Sequence, residues 1–328
     1  MKIAWFSEAG FVTEKLSRDF KNMRTEYAWY VAQQAHHYPI SMLADDSALR
    51  NNSFDLGVII IPKKIAAFAH MDIVNNLKRV CKSYAFMQEG ASWYFQELHI
   101  GETFLYYDIM VNADFFLAHN IKDLMYYQSL LEKKGYINPT LMIEDSIKDI
   151  SNVEREGVII GGNIGHYYGG FNSLVVGLHI ADKVYAPQMG RMKPEERSIT
   201  QIEHLPYTEW VDWINNLNKF KYAVHMNPNT IAGTFNLNCA YLGIPCIGNI
   251  DADTQRMCFP ELSIDSEDII GAKMLLEKLR DDKDFYQEIS ETAKDNYKRY
   301  FSEEAYKVNW NNILKQQFDY EDIINTTK

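Results

Sequence analysis

Residues 221–249 read KYAVHMNPNTIAGTFNLNCAYLGIPCIGN, and the punctuation of this stretch decides the fold. The apolar run 222–226 reads as a buried strand. Asn227-Pro228-Asn229 breaks it, and a helix is predicted to begin between Thr230 and Thr234. Gly243 stops that helix, and Pro245 opens a second apolar run that ends at Gly248. Strand, polar turn, helix, Gly stop and strand is the grammar of a parallel βαβ unit. The helix start is crowded with Asn, Thr and Gly. Its unpaired backbone N–H groups and the helix dipole suit an anion, above all a phosphate.

A second element of the same kind lies upstream. Residues 161–170, GGNIGHYYGG, follow a predicted strand and precede a predicted helix, and five of the ten are glycine. Such a loop lets backbone approach a ligand closely and offers N–H donors. It lacks the Gly-Lys-Ser/Thr ending of a Walker loop and is not a regular G-x-G-x-x-G.

The same alternation fills the chain. In the first half, strands are predicted at 3–6, 58–61, 83–87 and 114–118. A helix capped by Thr13 is predicted through Val31. Residues 143–157 are charged and polar and read as an interdomain linker. Strands at 158–161 and 183–186 and helices at 210–217, 266–279, 283–300 and 303–318 follow. Near-continuous apolar strands separated by helices indicate parallel sheets covered on both faces. With 328 residues, two domains are expected.

Hydrophobic residues make up 47% of the chain, enough for full cores without disulfides. The four cysteines, Cys81, Cys239, Cys246 and Cys258, form no C-x-x-C pair and read as reduced thiols. A net charge of −11 argues against strong nonspecific DNA binding, which draws its affinity from phosphate neutralisation. The N-terminus turns polar at Ser7-Glu8, and no apolar run reaches membrane-spanning length. A cytoplasmic protein without membrane insertion is expected.

Residues 230–245 resemble the donor-binding half of GT-B glycosyltransferases. There the corresponding strand–loop–helix reads E-G-F-G-x-x-x-x-E-A-x-x-x-G-x-P. Gly233-Thr234-Phe235 and the run from Asn238 to Pro245 follow that frame. The two family glutamates fall on Thr230 and Asn238. The second of them grips the ribose hydroxyls of the nucleotide, and Asn238 retains hydrogen bonding without the charge.

The resemblance implies an α/β chain of two Rossmann-like domains whose parallel sheets face each other across a cleft. It implies an acceptor-side domain at 1–148, a nucleotide-sugar domain at 157–300, and a final helix at 301–328 that returns to the first domain. The implied activity is hexosyl or pentosyl transfer from a nucleotide-sugar, with a UDP-sugar as donor and no other cofactor. The donor residues it implies are Gly162, Asn163 and His166 in the glycine loop; Arg191 and Lys193 as phosphate partners; His204 and Leu205 beside the base; and Gly233, Thr234, Phe235 and Asn238 at the helix start.

In the first half, Glu89 follows the strand 83–87 and is followed by Gly90. A carboxylate at the C-terminal edge of a parallel strand sits where a general base belongs. Glu8 and Gly10, Trp93 and Tyr94, and His119 share that edge and are candidates for the acceptor. Trp93 and Tyr94 fit a stacking face or a core equally well. Asp251-Ala252-Asp253 is a D-x-D, but three-residue matches arise by chance, and no metal is assigned. The short first half resembles phage DNA-modifying glycosyltransferases. That points to 5-hydroxymethylcytosine in duplex DNA as acceptor, flipped from the stack, in the cytoplasm of a phage host. A surface polysaccharide or small molecule as acceptor is the alternative, as is a non-catalytic GT-B-like binding protein.

Overall fold

The computed structural model describes residues 1–10, 15–23, 25–44, 49–51, 53–88, 90–147, 150, 153–188 and 192–318. The chain divides into two compact units. The first holds Met1–Arg18, Glu26–Pro139 and Tyr306–Lys328; the second holds Asp19–Thr25 and Thr140–Ala305. The change of unit at residue 139 lies ahead of the charged stretch 143–157. Glu144 belongs to the second unit and accepts a hydrogen bond there from the Tyr297 hydroxyl at 2.8 Å.

The first unit runs β1 (Ile3–Ser7), α1 (Glu26–Ala32), β2 (His36–Pro39), β3 (Phe54–Ile61), α2 (Ile73–Val80), β4 (Cys81–Gln88), α3 (Ile100–Asn112), β5 (Phe115–Ala118), α4 (Ile121–Leu131) and β6 (Gly135–Ile137). Its sheet is parallel throughout, in the order β2-β1-β3-β4-β5-β6. Register aligns Phe6, Ile59, Phe86 and Phe116 across four strands, all of them buried in one apolar core. Strands apolar along their whole length are buried on both faces, and this is why the sheet is parallel and helix-covered.

Two local expectations are corrected. The helix predicted from Thr13 begins only at Glu26; residues 11–14 lie outside the described residues, and 15–23 form turns. The His36-His37 pair, whose spacing offers no zinc site and which reads from the sequence as a helix end, instead opens β2 and pairs with Ala4 and Trp5. Four residues of His, Tyr and Pro on a sheet edge carry no hydrophobic alternation, so nothing in the pattern announced a strand.

The second unit runs β7 (Glu156–Ile160), α5 (Gly170–Gly177), β8 (Val184–Pro187), β9 (Ile202–Leu205), α6 (Trp210–Leu217), β10 (Phe220–His225), α7 (Thr234–Leu242), β11 (Cys246–Asn249), α8 (Asp253–Cys258), β12 (Ser263–Ile264), α9 (Ile269–Asp281) and α10 (Lys283–Tyr300). Its parallel sheet has the order β12-β11-β10-β7-β8-β9. The chain steps outward from β7 to β9, then returns to the other side of β7 to lay down β10. The strand order therefore reverses between β7 and β10. In an open α/β sheet the crevice beyond the carboxyl ends of the strands at such a reversal is where ligands bind. The Arg155 guanidinium closes the opposite end, donating to the carbonyls of Asn218, Leu242 and Gly243 at 3.2, 2.7 and 3.2 Å. Those carbonyls lie at the C-terminal ends of α6 and α7, where no helical partner exists.

The last helix, α11 (Glu303–Phe318), is counted with the first unit from Tyr306 onward. A buried polar chain explains why. The Trp5 indole donates to Gln33 Oε1 at 2.7 Å, Gln33 Nε2 donates to the Tyr306 hydroxyl at 2.6 Å, and that hydroxyl donates to Asn138 Oδ1 at 2.8 Å. Asn309 Nδ2 adds a bond to the Ile137 carbonyl at 3.0 Å. Tyr306→Phe keeps the ring but leaves Gln33 Nε2 and Asn138 Oδ1 without the hydroxyl they share. It is expected to destabilise this unit by about 1–3 kcal/mol. Urea unfolding followed by tryptophan fluorescence checks it; a variant as stable as wild type would show that water replaces the hydroxyl without loss.

Candidate functional site

The reversal between β7 and β10 brings together the two loops singled out in the sequence. β7 delivers Gly161 and the glycine loop; β10 delivers the turn leading into α7. Gly169 has φ +60°, and a Cβ there would lie 1.8 Å from the Met226 carbonyl oxygen, so the loop is seated directly on the exit of β10. The Ser173 hydroxyl fastens the same junction, accepting from Met226 N and donating to the Gly169 carbonyl, both at 2.9 Å.

The start of α7 has no side-chain cap. Its N-cap, Gly233, takes φ +71°, and a Cβ there would meet Thr254 Oγ1 at 1.8 Å. Only glycine satisfies both the left-handed backbone and the close approach. Beneath the first turn runs a buried polar chain. Gln255 Nε2 donates to the carbonyls of Cys246 and Leu262 at 2.8 and 3.2 Å, so Gln255 Oε1 faces Asn236 as acceptor, at 2.6 Å. Asn236 Oδ1 must then accept from His225 Nδ1, at 2.9 Å. His225 is therefore protonated on Nδ1. Burial pulls its pKa down to about 4, with the Asn236 bond opposing that shift, so the ring is neutral at pH 7.

Beside the uncapped helix start lies a cavity of about 250 Å³. Gly161 contributes from just after β7, and Pro187 and Gln188 from the end of β8. Pro206, Tyr207 and Thr208 follow β9, and Trp210 and Trp213 come from α6. Thr234, Phe235 and Asn238 line it from α7, and Asn22 and Thr25 close it from the segment counted with this unit. The Asn238 amide is oriented by its neighbours: Oδ1 accepts from the Trp213 indole at 3.1 Å and Nδ2 donates to the Thr234 carbonyl at 3.2 Å. An apolar cavity with a few fixed polar groups is the usual build of a small-molecule site.

Of the expected donor residues, Thr234, Phe235 and Asn238 meet in the cavity wall, and Gly233 sets the turn before them. Gly162 packs against Tyr168, and Asn163 is fully buried in its loop. Lys193 is exposed at the start of a short 3-10 helix. The Leu205 carbonyl accepts from Gln188 N at 3.1 Å, and His204 lies 3.6 Å from Glu196. Arg191 lies outside the described residues, as does the side chain of His166.

Sequence reasoning missed Glu196, Trp213 and Asn22. Glu196 is a buried carboxylate whose Oε2 accepts from Ile164 N at 3.1 Å and whose Oε1 accepts from Lys193 N at 3.4 Å. It ties the glycine loop to the loop after β8. The signal was Pro194 followed two residues later by an acid, as at a helix start. Asn22 carried no signal, because its place in the cavity wall depends on a distant segment of chain. Asp253 begins α8 and pairs with Arg256 at 2.8 Å. Among the described residues no group of three or more His, Cys, Asp and Glu side chains is arranged to hold a metal.

In the first unit, Glu89 lies outside the described residues. Among the described residues, Gln88 ends β4, Glu8 and Gly10 are exposed after β1, and the rings of Trp93 and Tyr94 lie 4.3 Å apart, with Lys63 Nζ 4.3 Å over the Tyr94 ring. His119 follows β5 against Trp29, ring centroids 5.4 Å apart, and burial pulls its pKa to about 4. The ends of β1, β4 and β5 thus carry these residues to one edge of the first sheet.

No protein-family model matches the sequence, and no curated protein matches it. Solved structures match in shape. Anabaena HepE, solved with UDP and glucose, superposes with a TM-score of 0.63 at 9% identity, over 96% of this chain and 99% of that one. The α,α-trehalose 6-phosphate synthase of Burkholderia multivorans gives 0.62 at 11% identity, over 95% and 89%. The pneumococcal O-GlcNAc transferase GtfA, in complex with UDP and GlcNAc, gives 0.57 at 11% identity over 86% of this chain; the chain spans 60% of that transferase. The chain has the two-domain GT-B fold that these structures share. No helix among the described residues is long and apolar enough to cross a membrane.

His225 sets a pH dependence. With its folded pKa near 4, below the usual 6.5, the unfolded chain binds the extra proton first. Stability is complete above about pH 6.5 and falls as pH drops towards 4, by on the order of 3 kcal/mol from this group. His225→Gln is expected to lower stability at pH 7 and to flatten the wild-type slope between these limits. Denaturant melts across the range, compared between the two proteins, measure it. Parallel slopes would mean that His225 titrates normally.

Proposed function

We propose that the protein is a nucleotide-sugar-dependent glycosyltransferase whose acceptor is a glycan or a small molecule. One observation carries the reading: an apolar cavity, opened by tryptophan and tyrosine side chains, lies beside an uncapped helix start at the point where the strand order reverses. A nucleoside suits the cavity, and its diphosphate suits the free N–H groups of α7. The neighbouring folds solved with UDP support that donor class.

The chemistry follows from the donor. An acceptor oxygen attacks the anomeric carbon, the bond from that carbon to the diphosphate oxygen breaks, and the nucleoside diphosphate leaves with the electron pair. The helix start and Arg191 stabilise the charge on the leaving diphosphate. In an inverting reaction Glu89 takes the acceptor proton. Glu8, Gly10, Trp93, Tyr94 and His119 then form the acceptor side.

The hydroxymethylcytosine acceptor drawn from the sequence is the weaker reading. The neighbours named above are described with glucose, GlcNAc or trehalose 6-phosphate rather than nucleic acid, and a net charge of −11 supplies no broad field for DNA. A silent binding protein is a second reading, favoured by Thr230 and Asn238 standing where the family carries glutamates.

UDP at 100 times its dissociation constant is expected to stabilise the protein by about 2.7 kcal/mol in a thermal-shift assay. Arg191→Ala should weaken UDP by about 1.5–3 kcal/mol in calorimetry. No shift with any nucleoside diphosphate would remove the donor site. Slow hydrolysis of UDP-glucose or UDP-GlcNAc separates an enzyme from a binder. Glu89→Gln should lower turnover by roughly 10²–10⁴-fold with donor affinity kept. Turnover within a few-fold of wild type would take Glu89 out of the mechanism.

A further inference from the structure

A second pocket lies at the other end of the second sheet. Lys221, in the first turn of β10, lines it, whereas His225 ends the same strand under the start of α7. α6 and α7 give their first turns to the cavity described above and bring their C-caps, Asn218 and Gly243, to this opposite end. The pocket is open to solvent and measures about 420 Å³, within the range of small-molecule sites.

Its walls carry three cations, Arg155, Lys221 and Lys294, and no aspartate or glutamate among the described residues. In a chain of net charge −11 that combination needs a cause. The helix ends supply part of it. The C-terminal ends of α6 and α7 carry about half a negative charge each. Arg155 answers both: it donates to the carbonyl and Oδ1 of Asn218 and to the carbonyls of Leu242 and Gly243. One positive charge offsets two halves, so the two lysines remain uncompensated. Lys221 Nζ lies over the rings of Tyr222 and Tyr286, 5.3 and 5.8 Å from their centroids, and the Lys294 stem fills the space that a Cβ on Gly243 would take. Among the described residues neither ammonium has a carboxylate within ion-pair distance. Glu291, one turn before Lys294, accepts instead from Gln287 Nε2 at 2.6 Å.

The neutral groups of the wall are acceptors. Gln287 spends its Nε2 on Glu291, which leaves Oε1 to accept. The Ser290 hydroxyl donates to the Gly243 carbonyl at 2.6 Å and keeps its lone pairs. Two cations and two acceptors therefore meet in one open pocket.

We propose that this pocket binds a phosphate monoester of a small polyhydroxylated molecule. Such a phosphate carries about −1.5 to −2 charge at pH 7 and three acceptor oxygens, which matches two ammonium groups. A monocarboxylate would neutralise only one of them. The hydroxyls of the ligand body meet Gln287 Oε1 and Ser290 Oγ. The site is separate from the nucleotide-sugar cavity, and each stands or falls without the other.

The test is calorimetric titration with sorbitol 6-phosphate, inorganic phosphate and sorbitol, with and without saturating UDP. Wild type should bind sorbitol 6-phosphate more tightly than inorganic phosphate, should not bind sorbitol, and should keep the bound ester when UDP is added. Lys221→Met and Lys294→Gln should each weaken the ester by roughly ten- to a hundredfold, the range of a charge-assisted hydrogen bond. Lys294 is exposed, so its variant is expected to melt as wild type does, and it carries the test if Lys221→Met misfolds. Displacement of the ester by UDP, with both lysine variants binding as wild type, would put the phosphate at the start of α7 and overturn the proposal. Equal affinity for inorganic phosphate overturns the polyhydroxylated body. A wild type that binds no sorbitol 6-phosphate at millimolar concentration overturns the site, whatever UDP does.

Discussion

The first turn of α7 is held from below, by an unbroken chain of side-chain hydrogen bonds from His225 through Asn236 to Gln255. The chain ends on two backbone carbonyls, those of Cys246 and Leu262, so it joins β10, α7, α8 and β11 in one piece. Each member is buried, and each has one orientation that satisfies its neighbour. Reversing any one of them would leave a buried donor facing a donor, which costs more than the bond itself gains. Gly233 and Thr254 fix the backbone that enters the same turn. The N–H groups at the helix start are thus aimed before any ligand arrives. Binding then avoids the cost of ordering them.

The parts of this architecture visible in the sequence are those set by local rules. Buried parallel strands such as Val58 to Ile61 and Tyr222 to His225 are apolar along their length, and Gly243 followed by Pro245 ends a helix wherever it occurs. The helices at 210–217, 283–300 and 303–318 were legible for the same reason. What escaped was set at a distance. β2 is a strand because β1 lies beside it, and β12 has only two residues and pairs with the end of β11. The predicted early helix has apolar residues at helical spacing from Leu16 to Val31. Residues 19–25 nevertheless pack with the second unit, and that long-range attachment prevails over local periodicity.

The candidate site divides in the same way. Thr234, Phe235 and Asn238 follow a motif, and they line the cavity. Trp213 and Asn22 line it without one: neither lies in a recurring spacing, and each reaches the cavity only through the fold. Glu196 stands between these cases. Its place after Pro194 marks a helix start, but its second contact, with Ile164 N, depends on how the glycine loop returns.

The cavity around Asn238 suits an amide better than a carboxylate. Asn238 is almost fully buried beside Trp213 and Phe235. An ionised carboxylate placed there would have to shed its hydration with no cation among the described lining residues to repay it. It also could not donate to the Thr234 carbonyl, so the helix would lose a contact that orients the side chain. An amide accepts from the Trp213 indole and donates to the carbonyl at once, and it brings no charge. What an amide forgoes is the charge-assisted strength of a carboxylate's hydrogen bonds. A neutral wall keeps negative charge away from the adjacent helix start, where an anionic ligand would be attracted by the dipole. An amide at 238 thus keeps the cavity wall neutral beside a helix start that has no side-chain cap of its own.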